Sequence, residues 1–117
     1  MEMAEFLSMQ KEEGLISIHR KKKGEEIMPA VVRLGDMSCG DDCPPTHAIT
    51  CSGNVFVNGK GVVRVGDAFE PHCLHSRIVA RGSASVYVNS KQVCRIGDPL
   101  SCGDRVCEGS SNVFAGG

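Results

Sequence analysis

Three copies of Arg-aliphatic-Gly-Asp stand at equal intervals along this chain, and that interval constrains the fold more than any other feature. Arg33, Arg64 and Arg95 are separated by 31 residues, as are Gly35, Gly66 and Gly97, and Asp36, Asp67 and Asp98. A second motif, Val-aromatic-Val-Asn, occurs at residues 55–58 and 86–89, and in altered form at Val113, Phe114, Ala115 and Gly116. A fixed period of this length marks one supersecondary unit used repeatedly. Three units imply an approximate threefold axis, with the segments between the motifs arranged around it as loops.

Each full unit is expected to be a β-hairpin. Residues 55–57 make a short strand, Asn58-Gly59 is a strong two-residue turn, and residues 62–65 return. In the next unit Asn89-Ser90 takes the turn. Gly35, Gly66 and Gly97 fall where each returning strand ends, at a sharp bend with positive φ or a close backbone approach. Asp36, Asp67 and Asp98 cap that bend through nearby backbone N–H groups, and Arg33, Arg64 and Arg95 lie along the strands with stems packed and heads paired. The fold class that follows is all-β, with no helix of consequence in the repeats.

The repeat domain spans residues 28–117, starting at Met28-Pro29-Ala30, where Pro29 breaks any preceding helix. Residues 1–27 lack Cys, Pro and the repeat. They form an extension that is flexible or docks on a partner, with residues 4–13 able to make a short helix and Lys21-Lys22-Lys23 a solvated tract. At 117 residues with no Trp, one Tyr and four Phe, aromatic burial contributes little to the core. Domains of this size often need disulfides, metal or partners. The net charge of −1 gives no electrostatic case for nucleic acid or an anionic membrane surface. No apolar run has the length of a membrane span, and the acidic start is unlike a signal peptide. Folding in the cytosol, with thiols reduced, is the expectation.

Seven Cys and four His are concentrated in the loops. The first loop carries Cys39, Cys43, His47 and Cys51; the second His72, Cys73 and His75; the third Cys102 and Cys107. Structural zinc takes four Cys and His ligands in a tetrahedron. Three converging loops offer such a set: His72 and His75, Cys102, and one ligand from the first loop. The competing readings are surface His with Cys as small buried hydrophobes, which suits Cys94 in a strand, and a disulfide framework, which the odd Cys number and the absence of a secretion signal disfavour.

With these residues in view, the sequence resembles a PAAR-repeat protein, the small zinc-containing cone at the spike tip of contractile phage tails and type VI secretion systems. The resemblance is carried by residues 28–36, by Val55-Phe56-Val57-Asn58-Gly59 through residues 63–67, by Ser101-Cys102-Gly103 and by the closing residues 109–117. It covers essentially all of residues 28–117. It implies a zinc ion (Zn2+) near the vertex of the cone, held in the family by three His and one Cys, with His72, His75 and Cys102 at matching positions. The fourth ligand is Cys39, which repeats the Ser-Cys-Gly context of Cys102, with Asp41, Cys43 and His47 as alternatives; where similar relatives have Gly-His, this chain has Gly40-Asp41.

The resemblance further implies that one copy caps a trimeric β-helical spike, sharpening it for membrane puncture, and meets the target envelope only transiently. Such a protein is made in the bacterial cytoplasm, assembled at the tip of a virion tail or secretion spike, and delivered across the target envelope, with no nucleic acid partner and no stable membrane insertion. The role is structural and needs no turnover. A rival class is a small zinc hydrolase, which needs an open metal position and a general base such as Asp41, Asp42 or Asp104. Another is an adaptor that links cargo to the spike through the extension. A toxin domain beyond Gly117 is not expected, and 27 residues are too few for a conventional enzyme domain.

Overall fold

A computed structural model of the chain describes residues 9–11, 29–40, 44–72 and 75–116. Among the described residues there is no helix, and regular structure is confined to short strands in three small antiparallel sheets. β1 (Met9–Lys11), β2 (Val55–Val57) and β3 (Lys60–Gly61) form one sheet in the order β1-β2-β3. β4 (Ala68–His72) pairs with β5 (His75–Ile78), and β6 (Tyr87–Val88) with β7 (Lys91–Gln92).

The turn chemistry is as the sequence predicts. Asn58 and Gly59 have φ of 56° and 78°, and Asn89 and Ser90 have φ of 54° and 67°. Positive φ at both central residues matches the twist of the flanking strands, which is why Asn and Gly are favoured there. Gly35, Gly66 and Gly97 have φ of 90°, 94° and 92°. At each of these bends the aspartate Oδ2 accepts the backbone N–H of the arginine three residues earlier, at 2.8, 2.7 and 2.7 Å. The same oxygen accepts that arginine's Nε, at 2.9, 2.8 and 3.1 Å. Each arginine head is thus paired within its own turn.

Two expectations need correction. Residues 63–65 do not return alongside their own strand: Val62 N–H still donates to Val55 O at 3.1 Å, and the chain then bridges the neighbouring repeats. Arg33 pairs with Val62, Arg64 with Val93, and Arg95 with Val31. The physical reason is closure. Val63 N–H donates to Val32, Cys94 N–H to Val63 and Val32 N–H to Cys94, at 3.0, 2.9 and 3.0 Å, so the three repeats satisfy one another in a ring. The second correction concerns the extension. Met9–Lys11, within the segment able to make a short helix, is a strand in antiparallel register with β2, Met9 opposite Val57 and Lys11 opposite Val55. A ten-residue helix is marginal alone, whereas a strand edge offers backbone partners. Residues 1–8 and 12–28, with the lysine tract, lie outside the described residues.

The core follows the ring. One cluster takes the same three positions from every repeat: Val31, Val62 and Val93; Val55, Val86 and Val113; Val57, Val88 and Ala115, all fully buried. Each such Val contributes about 1.5–3 kcal/mol on burial. A second cluster holds Val32, Val63 and Cys94, then Ala48, Val79 and Val106, and finally Phe69 and Leu100. At the first-repeat position equivalent to Phe69 and Leu100 stands Ser38, also buried.

Candidate functional site

The loops are tied together by a second ring of bridges, Ala48 with Phe69, Val79 with Leu100, and Val106 with Ser38. The first two seams join repeats that follow one another in the chain. The third joins the last repeat to the first, and there Cys39 N–H donates to Arg105 O at 2.7 Å while Cys107 N–H donates to Met37 O at 3.0 Å. This register brings the two cysteines together, and they form a disulfide with Cα atoms 4.9 Å apart. In this pairing Cys39 has no thiolate to offer a metal. The expectation that every thiol is reduced is corrected at the same place.

The remaining expected ligands are dispersed. His72 and His75 face each other at the end of the β4–β5 hairpin, both exposed. Cys102 is half-buried and packs against the second core cluster. His47 is exposed, its Nδ1 3.6 Å from Glu70 Oε1. Asp41 and Cys43, along with Asp42 and Cys73, lie outside the described residues. Among the described residues no three His, Cys, Asp or Glu side chains are grouped so as to hold a metal ion. The described donors as placed do not form a closed zinc tetrahedron.

What the three loops do share is a buried ion pair. Arg77 and Asp104 occupy the same repeat position, two residues before the buried Val79 and Val106, and their side chains are 1% and 5% exposed. Arg77 Nη1 donates to Asp104 Oδ2 at 3.1 Å and to Ser38 Oγ at 3.2 Å. Asp104 Oδ2 also accepts Gly40 N–H at 2.9 Å, and its Oδ1 accepts Arg105 N–H at 2.8 Å. The small Ser38 leaves room where Phe69 and Leu100 fill the other repeats, so a guanidinium can be accommodated. Burial pushes the Cys94 thiol well above its ordinary range, and burial with the Asp67 charge raises Cys51, so neither is a ready thiolate ligand.

The other threefold feature is a polar girdle beside the Val-rich strands. Asn58 Oδ1 accepts Arg33 Nη1 at 2.9 Å and Ser110 Oγ at 2.7 Å, and Asn89 Oδ1 accepts Arg64 Nη1 at 2.9 Å and Ser52 Oγ at 2.7 Å. In the altered third copy the backbone carbonyl of Gly116 accepts Arg95 Nη1 and Ser83 Oγ in the same way. The alternating strands bury Val55, Val57, Val86, Val88, Val113 and Ala115 and leave Phe56 and Phe114 half-buried and Tyr87 39% exposed. Three aromatic side chains thus stand at equivalent positions around the ring.

Sequence reasoning missed the Cys39–Cys107 pair and the Arg77–Asp104 pair. Superposing the repeats puts opposite charges at one repeat position, but nothing in the sequence places Arg77 beside Asp104 or Cys39 beside Cys107. Comparison with known proteins matches a family model described as the PAAR motif to residues 44–108, more than half of the 117-residue chain. No curated protein matches.

Proposed function

This chain belongs to the PAAR-motif family, whose role is that of a structural spike tip in contractile injection machines, and we propose that residues 28–117 cap a trimeric β-helical spike with one copy per trimer. The observation that carries the reading is the closed ring. A single chain that repeats the same bridges, Arg-Asp turns and outward aromatics three times presents three similar faces to three identical partners. Phe56, Tyr87 and Phe114 supply equivalent apolar contacts, and docking also covers exposed strand edges. The role is mechanical, a tip at the end of a phage tail or secretion spike driven across a target envelope, and it needs no turnover. Met9–Lys11, from the extension of residues 1–27, pairs with β2 of this cap.

The test is to mix the full chain with the trimeric spike protein of its own machine and to determine the mass of the complex. One chain per spike trimer is expected, and a chain starting at Met28 should bind with the same stoichiometry. Three chains per trimer, or no complex, would refute single-copy capping. Loss of binding on removal of residues 1–27 alone would move the contact to the extension.

A further inference from the structure

PAAR domains generally bind metal, yet the donors described in this chain do not assemble a site. We propose that the three loops are closed covalently instead: the Cys39–Cys107 cystine, supported by the buried Arg77–Asp104 pair, fastens the ring, and no metal ion is held by the described donors of these loops.

The position of the cystine within the repeat carries the inference. Cys39 corresponds to Glu70 and Ser101, and Cys107 corresponds to Ile49 and Ala80. The equivalent pairs are therefore Ile49 with Glu70 at the first seam, Ala80 with Ser101 at the second, and Cys107 with Cys39 at the third. The two seams without cysteines link consecutive repeats, which the chain already holds close together. Only the third joins segments far apart in sequence, 68 residues, and it alone bears the disulfide. A crosslink there removes the most freedom from the open chain. Arg77 and Asp104 add bonds to Ser38 and Gly40, so all three loops are engaged without a cation.

Formation is a thiol–disulfide exchange with a small-molecule disulfide. The thiols of Cys39 and Cys107 give up two protons and two electrons as one S–S bond forms, and the oxidant's own S–S bond is reduced to two thiols.

The full chain is purified without reductant and treated in three ways: alkylation and peptide mass mapping, elemental analysis for zinc, and melting with EDTA or with TCEP. The expected results are a crosslinked Cys39–Cys107 peptide, less than about 0.1 zinc per chain and no shift with EDTA. TCEP is expected to lower Tm by on the order of 20 °C. The Cys39→Ser and Cys107→Ser double variant should melt like the reduced protein and ignore TCEP. One zinc per chain with a Tm lowered by EDTA, or alkylation of both Cys39 and Cys107 in untreated protein, overturns the proposal. If the variant does not fold, the peptide map and the zinc content of the unaltered chain still decide. None of these readouts depends on spike binding, so failure here is separable from failure of the capping role.

Discussion

At the scale of single residues, the three aspartates of the repeat show how one side chain shapes a bend. Each carboxylate satisfies a backbone N–H that the positive-φ glycine leaves turned inward, and holds the arginine that reaches for the next repeat. Burial alone would raise the pKa of Asp67, but hydrogen bonds from the Arg64 side chain and backbone and from Thr50, together with the Arg64 charge, hold it below the usual carboxylate value. A carboxylate with a lowered folded-state pKa stabilises the protein fully above its unfolded pKa, near 4, and that stabilisation is lost as pH falls through the folded value. The urea midpoint should therefore drop on acidification below about pH 4. In Asp67→Asn the midpoint should be lower at pH 7 and decline less in acid; an equally steep acid decline would show that Asp67 is not among the responsible groups. The aspartate cap was legible in the sequence because it is local, three residues from its donor. The Arg77–Asp104 pair was not, because it depends on what the small Ser38, contributed by another loop, leaves unfilled.

At the scale of elements, the hairpins were legible from their turns, and their extent was not. Asn58-Gly59 and Asn89-Ser90 specify where the chain reverses, since positive φ is a local demand. That each returning strand leaves its partner after Val62 or Val93, whose N–H groups still donate to Val55 and Val86, is set by the neighbouring repeat, which takes over the next hydrogen bonds. The crossing is tight. A Cβ on Gly82 would lie 2.4 Å from the backbone carbonyl oxygen of Val93, an atom the ring holds in place, whereas one on Gly53 would meet nothing within 4 Å. Gly82→Ala is expected to cost about 1–3 kcal/mol, and Gly53→Ala less than about 0.5 kcal/mol, measured by urea unfolding. Equal effects of the two substitutions would mean that the crossing can relax. The strand at Met9–Lys11 makes the same point from the other side: composition suggested a helix, and the available edge of β2 decided otherwise.

At the scale of the whole molecule, closure makes the repeats interdependent. An open repeat array can fray from its ends, but here each repeat bonds to both others, and the Val32–Val63–Cys94 triangle of hydrogen bonds has no end. The described domain should unfold in a single transition, with Tyr87 fluorescence and far-ultraviolet circular dichroism changing together. Two separated transitions would show that a repeat can detach. The seam between last and first repeats is the place where such opening would begin, and a crosslink spanning 68 residues adds about 4 kcal/mol against it in the chain-entropy account.

The sequence by itself determined the repeat, the turns, the Arg-Asp bends and the alternating Val positions that become the core. All of these follow from spacing and from chemistry within a few residues. The tertiary structure alone decided which side chains of the three loops meet. His72, His75 and Cys102 were matched by motif position, but proximity across loops depends on loop length, on the third loop being four residues shorter, and on what fills each core position. With Ser38 in place of a large apolar residue and Cys39 bonded to Cys107, those loops come together through an ion pair and a cystine. Ring closure is a property of three segments at once, and no single stretch of sequence contains it.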